Sequence, residues 1–106
     1  LFRSYRLPAR MVISDADSGV VRQDLGVCGD SDDLFLDDKR QRIYVSCGSG
    51  DIDVFEAADG VFKRVSRVKT RSGARTSLFV PEIDRLFVAA RADNGRPAAI
   101  LVYRPE

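Results

Sequence analysis

Residues 29 to 60, GDSDDLFLDDKRQRIYVSCGSGDIDVFEAADG, place Asp30, Asp32, Asp33, Asp37 and Asp38 ahead of an apolar run and further acids behind it. Carboxylates at this density suit three kinds of chemistry: oxygen ligation of Ca²⁺, metal-assisted activation of water, or pairing with arginine. The chain contains no histidine. That removes the commonest zinc ligand and the usual general base, so Ser-His-Asp, Cys-His and histidine-ligated metal chemistry are excluded within it. Ser46, Ser49 and Ser72 have no base partner in the sequence, and no hydroxyl nucleophile is assigned. Cys28 and Cys47 are the two cysteines and match no CxxC spacing. They leave a single internal bridge open.

Composition bounds what remains. With 106 residues, 44% hydrophobic and 31% charged, the chain has the balance of one small globular domain. No apolar run is long enough to cross a bilayer as a helix, and no membrane partner is expected. No segment has the order of a secretory signal, although a start at Leu1 leaves a removed leader open. The net charge of +1 is unevenly spread, at +1 over residues 1 to 27, −6 over 28 to 59 and +6 over 60 to 106. Such a division either marks a face for a polyanion or lets neighbouring structural units attract each other. The cations concentrate in KRVSRVKTRSGAR, residues 63 to 75. Without interleaved aromatics to stack on bases, this run reads as a charged outer strand, and no nucleic-acid partner is expected.

Internal repetition gives the elements that must position the acids. MVISDADSGVV (11 to 21) lies over IDVFEAADGVF (52 to 62), RIYVS (42 to 46) over RLFVA (85 to 89), and DDLFL (32 to 36) over TSLFV (76 to 80). The offsets are 41, 43 and 44 residues. LFRSYRLPARMVI (1 to 13) matches LFVAARADNGRPAAILV (86 to 102), whose extra residues fall at an Asn94-Gly95 turn. One unit reads as four strands: A (Leu34 to Leu36, Leu78 to Val80), B (Ile43 to Cys47, Leu86 to Ala90), C (Ile52 to Phe55, Ile100 to Tyr103) and D (Val61 to Val68). Short runs of Val, Ile, Leu, Phe and Tyr bounded by Gly, Asp, Asn and Pro support strands, and no stretch keeps a helical period. Asn94-Gly95 suits a type I′ hairpin turn, whose two central residues both need positive φ. Several strands are apolar at consecutive positions, which predicts that both of their faces are covered.

A unit of about 40 to 45 residues with four antiparallel strands is the pattern of a β-propeller blade. Within it, IYVSCGSGDIDVFEAADG and GARTSLFVPEIDRLFVA resemble the YVTN-repeat, YncE-like group of bacterial propeller proteins. The resemblance spans nearly the whole chain. The expected fold is all-β, a β-propeller portion made of four-stranded antiparallel blades in an incomplete ring. Residues 1 to 27 form a partial blade with strands B to D, 28 to 70 a full blade, and 71 to 106 a partial blade with strands A to C. A closed propeller needs at least about four blades, so further blades come from a longer chain or from self-association. The resemblance implies a periplasmic or extracellular location but no single activity, because the wider architecture includes repeat proteins, lactonases and oxidoreductases.

Asp15, Asp17 and Asp59 fall in C-to-D turns, and Asp37 and Asp38 in the A-to-B turn, where aspartate bonds its own backbone. Asp30, Asp32 and Asp33 instead precede strand A, the innermost strand of a blade, whose entry borders the central channel. Their counterparts in the next unit lie within GARTS, so Asp30, Asp32, Asp33, Arg75 and Thr76 are the candidate ligand-binding residues of a channel mouth. Asp32 and Asp33 are the candidate Ca²⁺ ligands, yet two carboxylates supply too few oxygens, and pairing with Arg75 is the favoured role. No cofactor is otherwise expected. The reading is a non-catalytic scaffold module that binds a protein or small-molecule ligand at this mouth. The alternative is a lactonase-like, divalent-metal-assisted hydrolase completed by residues outside this chain.

Overall fold

The computed structural model describes residues 2 to 5 and 9 to 106. Ten strands run in chain order: β1 (Phe2–Tyr5), β2 (Arg10–Ser14), β3 (Val21–Gly26), β4 (Ser31–Asp37), β5 (Arg42–Cys47), β6 (Asp51–Ala58), β7 (Val61–Lys69), β8 (Ser77–Val80), β9 (Arg85–Ala90) and β10 (Ala99–Tyr103). They form three antiparallel sheets, β1-β2-β3, β4-β5-β6-β7 and β8-β9-β10. The fold is all-β, with one four-stranded unit between two three-stranded ones, and each expected strand is present. Among the described residues the first and third sheets share no strand, so the array is open. The match of residues 1 to 13 to 86 to 102 falls partly on residue 1 and residues 6 to 8, which lie outside the described residues.

Turn chemistry sets the hairpins. Asp59 and Gly60 (φ 54° and 78°) connect the paired residues Ala58 and Val61, and Asn94 and Gly95 (φ 34° and 81°) connect Asp93 and Arg96. Positive φ at both central positions is the type I′ requirement that Asn-Gly and Asp-Gly satisfy with least strain. In the first unit the Asp15 carboxylate accepts the amides of Asp17 and Ser18, and Gly19 supplies the positive φ that Gly60 supplies in the second.

Cross-strand register shows which residues are equivalent. Phe2 pairs with Ile13, which pairs with Gln23; Tyr44 pairs with Val54, which pairs with Ser66; Phe87 pairs with Val102. Directly opposed residues share a face, so these rows are the same feature in three consecutive sheets. The inner strands follow the same rule: Phe35 pairs with Tyr44 and Leu78 with Phe87. The true offset for strand A is therefore 43 residues, one less than the sequence match indicated. A one-residue slip exchanges the two faces of a strand. Leu78 thus takes the position of Phe35, and Phe79 packs inward, edge-on to Tyr44 at 5.2 Å between ring centroids.

Two cores result. Met11, Val27, Cys28, Ile43, Val45, Cys47 and Phe55 lie between the first and middle sheets; Tyr44, Ile52, Ala74, Phe79, Leu86, Val88 and Ala90 lie between the middle and third. Consecutive apolar residues such as Tyr44 and Val45 are both buried because the middle sheet is covered on both faces. In each unit a pair two residues apart points to the following sheet. Met11 and Ile13 meet the middle sheet, Ile52 and Val54 meet the third, and Ile100 and Val102 are 62% and 56% exposed.

The joint between the first two sheets is fastened at Cys28. Its sulfur is bridged to Cys47, closing the bond that the sequence left open. Its amide donates to the carboxylate of Asp53, which is 0% exposed and also receives two bonds from Arg67, at 2.6 and 3.0 Å. Removing one partner of a buried ion pair leaves an uncompensated charge. Arg67→Ala is expected to lower stability in urea unfolding by about 2 to 3 kcal/mol, less than for a fully buried pair because Arg67 reaches water. Arg64 Nη1 lies 3.9 Å from the same carboxylate, so a loss below about 0.5 kcal/mol in the Arg64→Ala/Arg67→Ala double variant would show that Asp53 needs no cationic partner.

Candidate functional site

The end of the sheets where β4 and β8 begin gathers the residues singled out in the sequence. The register of β4 against β5 shifts between Ser31 and Asp33, which makes Asp32 the extra residue of a β-bulge. Bulges re-aim side chains at strand ends. Just before it, Asp30 adopts φ 57°, and its carboxylate meets Arg75 across the sheet boundary, with Nη2 at 2.6 Å and Nε at 3.1 Å from Oδ2. The cationic partner of the mouth therefore pairs with Asp30. Asp33 instead accepts the amide of Ser77 at 2.8 Å.

Below this layer Ser46, 1% exposed, donates to the carbonyl of Arg75 at 2.9 Å and lies 2.8 Å from the Ser77 hydroxyl. These contacts fix the entry of β8 against the middle sheet. Thr76 is exposed, and its carbonyl accepts the amide of Ala89. Asp30, Asp33, Arg75 and Thr76 thus come to one rim with Asp32 in the bulge beside them. Among the described residues no three Asp, Glu, Cys or His side chains form a group able to hold a metal ion.

Glycine makes the layer possible. Gly48 donates its amide to the Asp30 carbonyl and accepts the amide of Gly73, while the Asp30 and Arg75 side chains lie across it. A methyl group there would overlap the Asp30 carboxylate and stand 3.1 Å from Arg75 Nε.

The basic run is drawn into the same construction. Arg67 serves Asp53, Lys69 lies 3.6 Å from Asp51, and Arg75 serves Asp30. Arg71 donates to the carbonyls of Arg91 and Pro97, tying the β9-β10 hairpin to the loop before β8. The acidic middle and basic end of the sequence meet as paired side chains within and between sheets.

A second cluster lay outside the residues singled out by sequence. Asp37, 2% exposed, accepts the Tyr44 hydroxyl at 2.6 Å and Arg40 Nη1 at 3.0 Å; the same nitrogen reaches Asp84 of the third sheet at 3.0 Å, and Lys39 Nζ joins it at 3.1 Å. The turn reading of Asp37 holds, since it also accepts the Arg40 amide, but its burial depends on the third sheet. Burial, then the Asp37 contact, pushes Tyr44 up to about 12. Arg40 and then Lys39 hold Asp84 down at about 2. A Tyr seven residues after an Asp was the available signal, and it has meaning only once the turn brings the two together.

No family model matches this chain, and no curated protein or solved structure matches it significantly.

Two outcomes follow from this geometry. Gly48→Ala is expected to cost about 1 to 2 kcal/mol in thermal unfolding and to make a further Asp30→Ala change nearly neutral, whereas Asp30→Ala alone is destabilising. Equal effects of Asp30→Ala in both backgrounds would separate Gly48 from the pair. For pH, Asp84 titrates lower when folded, so its contribution is present above its ordinary value of 3.8 and is lost as pH falls toward about 2. Tyr44 titrates higher when folded, so its contribution is intact below 10 and is lost as pH rises toward about 12. Tyr44→Phe is expected to flatten the alkaline limb of the stability profile and leave the acid limb; an unchanged alkaline limb would exclude Tyr44 as its source.

Proposed function

We propose that this chain is a run of consecutive blades of a YVTN-type, YncE-like β-propeller and serves as a non-catalytic scaffold that binds a ligand or protein at the rim built by Asp30, Asp32, Asp33, Arg75 and Thr76. The supporting observation is the repeated outward pair: Met11/Ile13 and Ile52/Val54 are covered by the next sheet, and Ile100/Val102 present the same face to solvent. Covering apolar surface is worth about 25 cal/mol per Å², which favours continuation of the array by further sheets from a longer chain or other subunits. The bridge between Cys28 and Cys47 suits the exported location that the resemblance implies.

A binding role fits the state of the rim. Asp30 and Asp33 are engaged by Arg75 and the Ser77 amide, so neither is poised as a catalytic base. Thr76 is exposed beside them, offering hydroxyl donor and acceptor capacity. A ligand with hydrogen-bonding groups matches that surface.

The test compares the intact denatured mass with the native mass in solution. A denatured mass well above that of 106 residues, or a native mass several-fold that of one chain, is the expected result. Both masses matching a single copy of this chain would overturn the propeller reading. Lactone turnover in the presence of divalent ions, abolished by Asp33→Asn, would overturn the non-catalytic reading.

A further inference from the structure

The outer strand of the middle sheet, β7, carries most of its cations in one row. The register of β6 against β7 shifts between Val54 and Phe55 and leaves Val65 unpaired, so that Asp51 opposes Lys69, Asp53 opposes Arg67 and Phe55 opposes Arg64. Opposed residues share a face, as do alternate residues of one strand. Arg64, Arg67 and Lys69 therefore lie together on the side of Phe55, which packs in the core shared with the first sheet. Without the bulge, Arg64 and Arg67 would fall on opposite faces. Lys63 opposes Glu56 and belongs to the other face.

The acids that hold this row sit beneath it. Asp53 is out of contact with water and Asp51 is 15% exposed, whereas the side chains of Arg64, Arg67 and Lys69 are 46%, 42% and 82% exposed. Arg67 turns Nε and Nη2 to Asp53, which leaves the two protons of Nη1 for another acceptor. Arg64 Nη1 approaches the same carboxylate only to 3.9 Å, too far for a hydrogen bond. Three cations thus stand over two acids, with negative charge inside and positive charge outside. Asp24 of the neighbouring strand β3 does not offset them, because it opposes Val12 on the face turned from the middle sheet and pairs there with Arg10.

We propose that Arg64, Arg67 and Lys69 form a docking row for an acidic polysaccharide, whose successive carboxylate or sulfate groups meet the outward-facing guanidinium and ammonium protons. Neighbouring cations on one face of a strand are about 6.5 Å apart, so an extended polymer can engage all three, and the buried carboxylates hold the arginines in place before it arrives. Nucleic acid fits less well. The one aromatic beside the row, Phe62, is packed edge-on to Phe2 and offers no face for a base. A protein partner would need an apolar centre to the patch, which the same packing removes. The Cys28-Cys47 bridge suits an oxidising compartment, where polysaccharides are the abundant polyanions. The row is separate from the rim of Asp30 and Arg75 and does not depend on its role. Both sheets that border it, with β3 and β7, belong to this chain.

The probes are two fluorescein-labelled oligosaccharides, an oligogalacturonate and a heparin fragment, titrated with the protein at low salt and read by anisotropy. Saturable binding of at least one is expected, weakening as salt is added, and the stronger of the two identifies carboxylate or sulfate as the preferred group. Arg64→Gln and Lys69→Gln are each expected to weaken it by at least about fivefold, whereas Lys63→Gln, the same charge change on the other face of the strand, leaves it within about twofold. Arg64 and Lys69 are chosen because neither holds Asp53 by a hydrogen bond, and circular dichroism verifies that each variant is folded. Absence of saturable binding up to about 1 mM protein would overturn the proposal. An equal loss with Lys63→Gln would reduce the effect to net charge and overturn it too. Tighter binding of labelled DNA, single- or double-stranded and of equal charge, would assign the row to nucleic acid instead.

Discussion

A carboxylate out of contact with water fastens the joint between the first two sheets. Asp53 sits in the third strand of the middle sheet, yet its partners come from elsewhere: the amide of Cys28, in the segment that enters this sheet from the first, and the guanidinium of Arg67 on the outer strand. An ionised carboxylate tolerates such burial only when charge and lone pairs are both satisfied. The pairing therefore ties linker, inner layer and outer strand to one geometry. The Cys28-Cys47 bridge fastens the same segment to the end of β5.

From that joint outward the structure is a repetition whose interfaces are not identical. The face of the middle sheet that meets the third carries Asp37, Tyr44 and Arg40, which share hydrogen bonds and reach Asp84. Gln41 and Asp84 both adopt left-handed backbone, at φ 53° and 50°, and mark the same point of the A-to-B turn. At the 43-residue offset the three polar positions become Val80, Ile83 and Phe87. The outer face of the third sheet has thus exchanged a polar lock for apolar surface, with Leu78 and Ile83 each 56% exposed.

Charge has a constructional role throughout. The acids of the middle segment and the cations that follow it, which in sequence suggest a metal site and a polyanion site, largely occupy each other. Arg67, Arg71 and Arg75 each hold a different element in place: a buried carboxylate, a hairpin's carbonyls and the acid beside the β4 bulge. Thr76 lies exposed beside this pairing at the start of the third sheet, with Asp32 in the β4 bulge of the middle sheet next to it.

Local chemistry was enough to determine the strands, the hairpin turns at Asp59-Gly60 and Asn94-Gly95, and the succession of related units, because hydrophobic alternation and positive-φ requirements act over a few residues. The rim was legible in outline for the same reason: the acids precede one strand A and Arg75 and Thr76 precede the next. Tertiary structure alone decided that Arg75 pairs with Asp30, since a bulge at Asp32 and the space over Gly48 set which carboxylate reaches it. It also decided the 43-residue register of strand A, where sequence similarity favoured LFL over LFV and cross-strand packing favoured Phe35 over Leu78. The partnership of Asp53 with Cys28 and Arg67, and of Tyr44 with Asp37, was likewise out of reach of the sequence. Each depends on burial created by a neighbouring sheet, a non-local quantity that residue types and spacing do not carry.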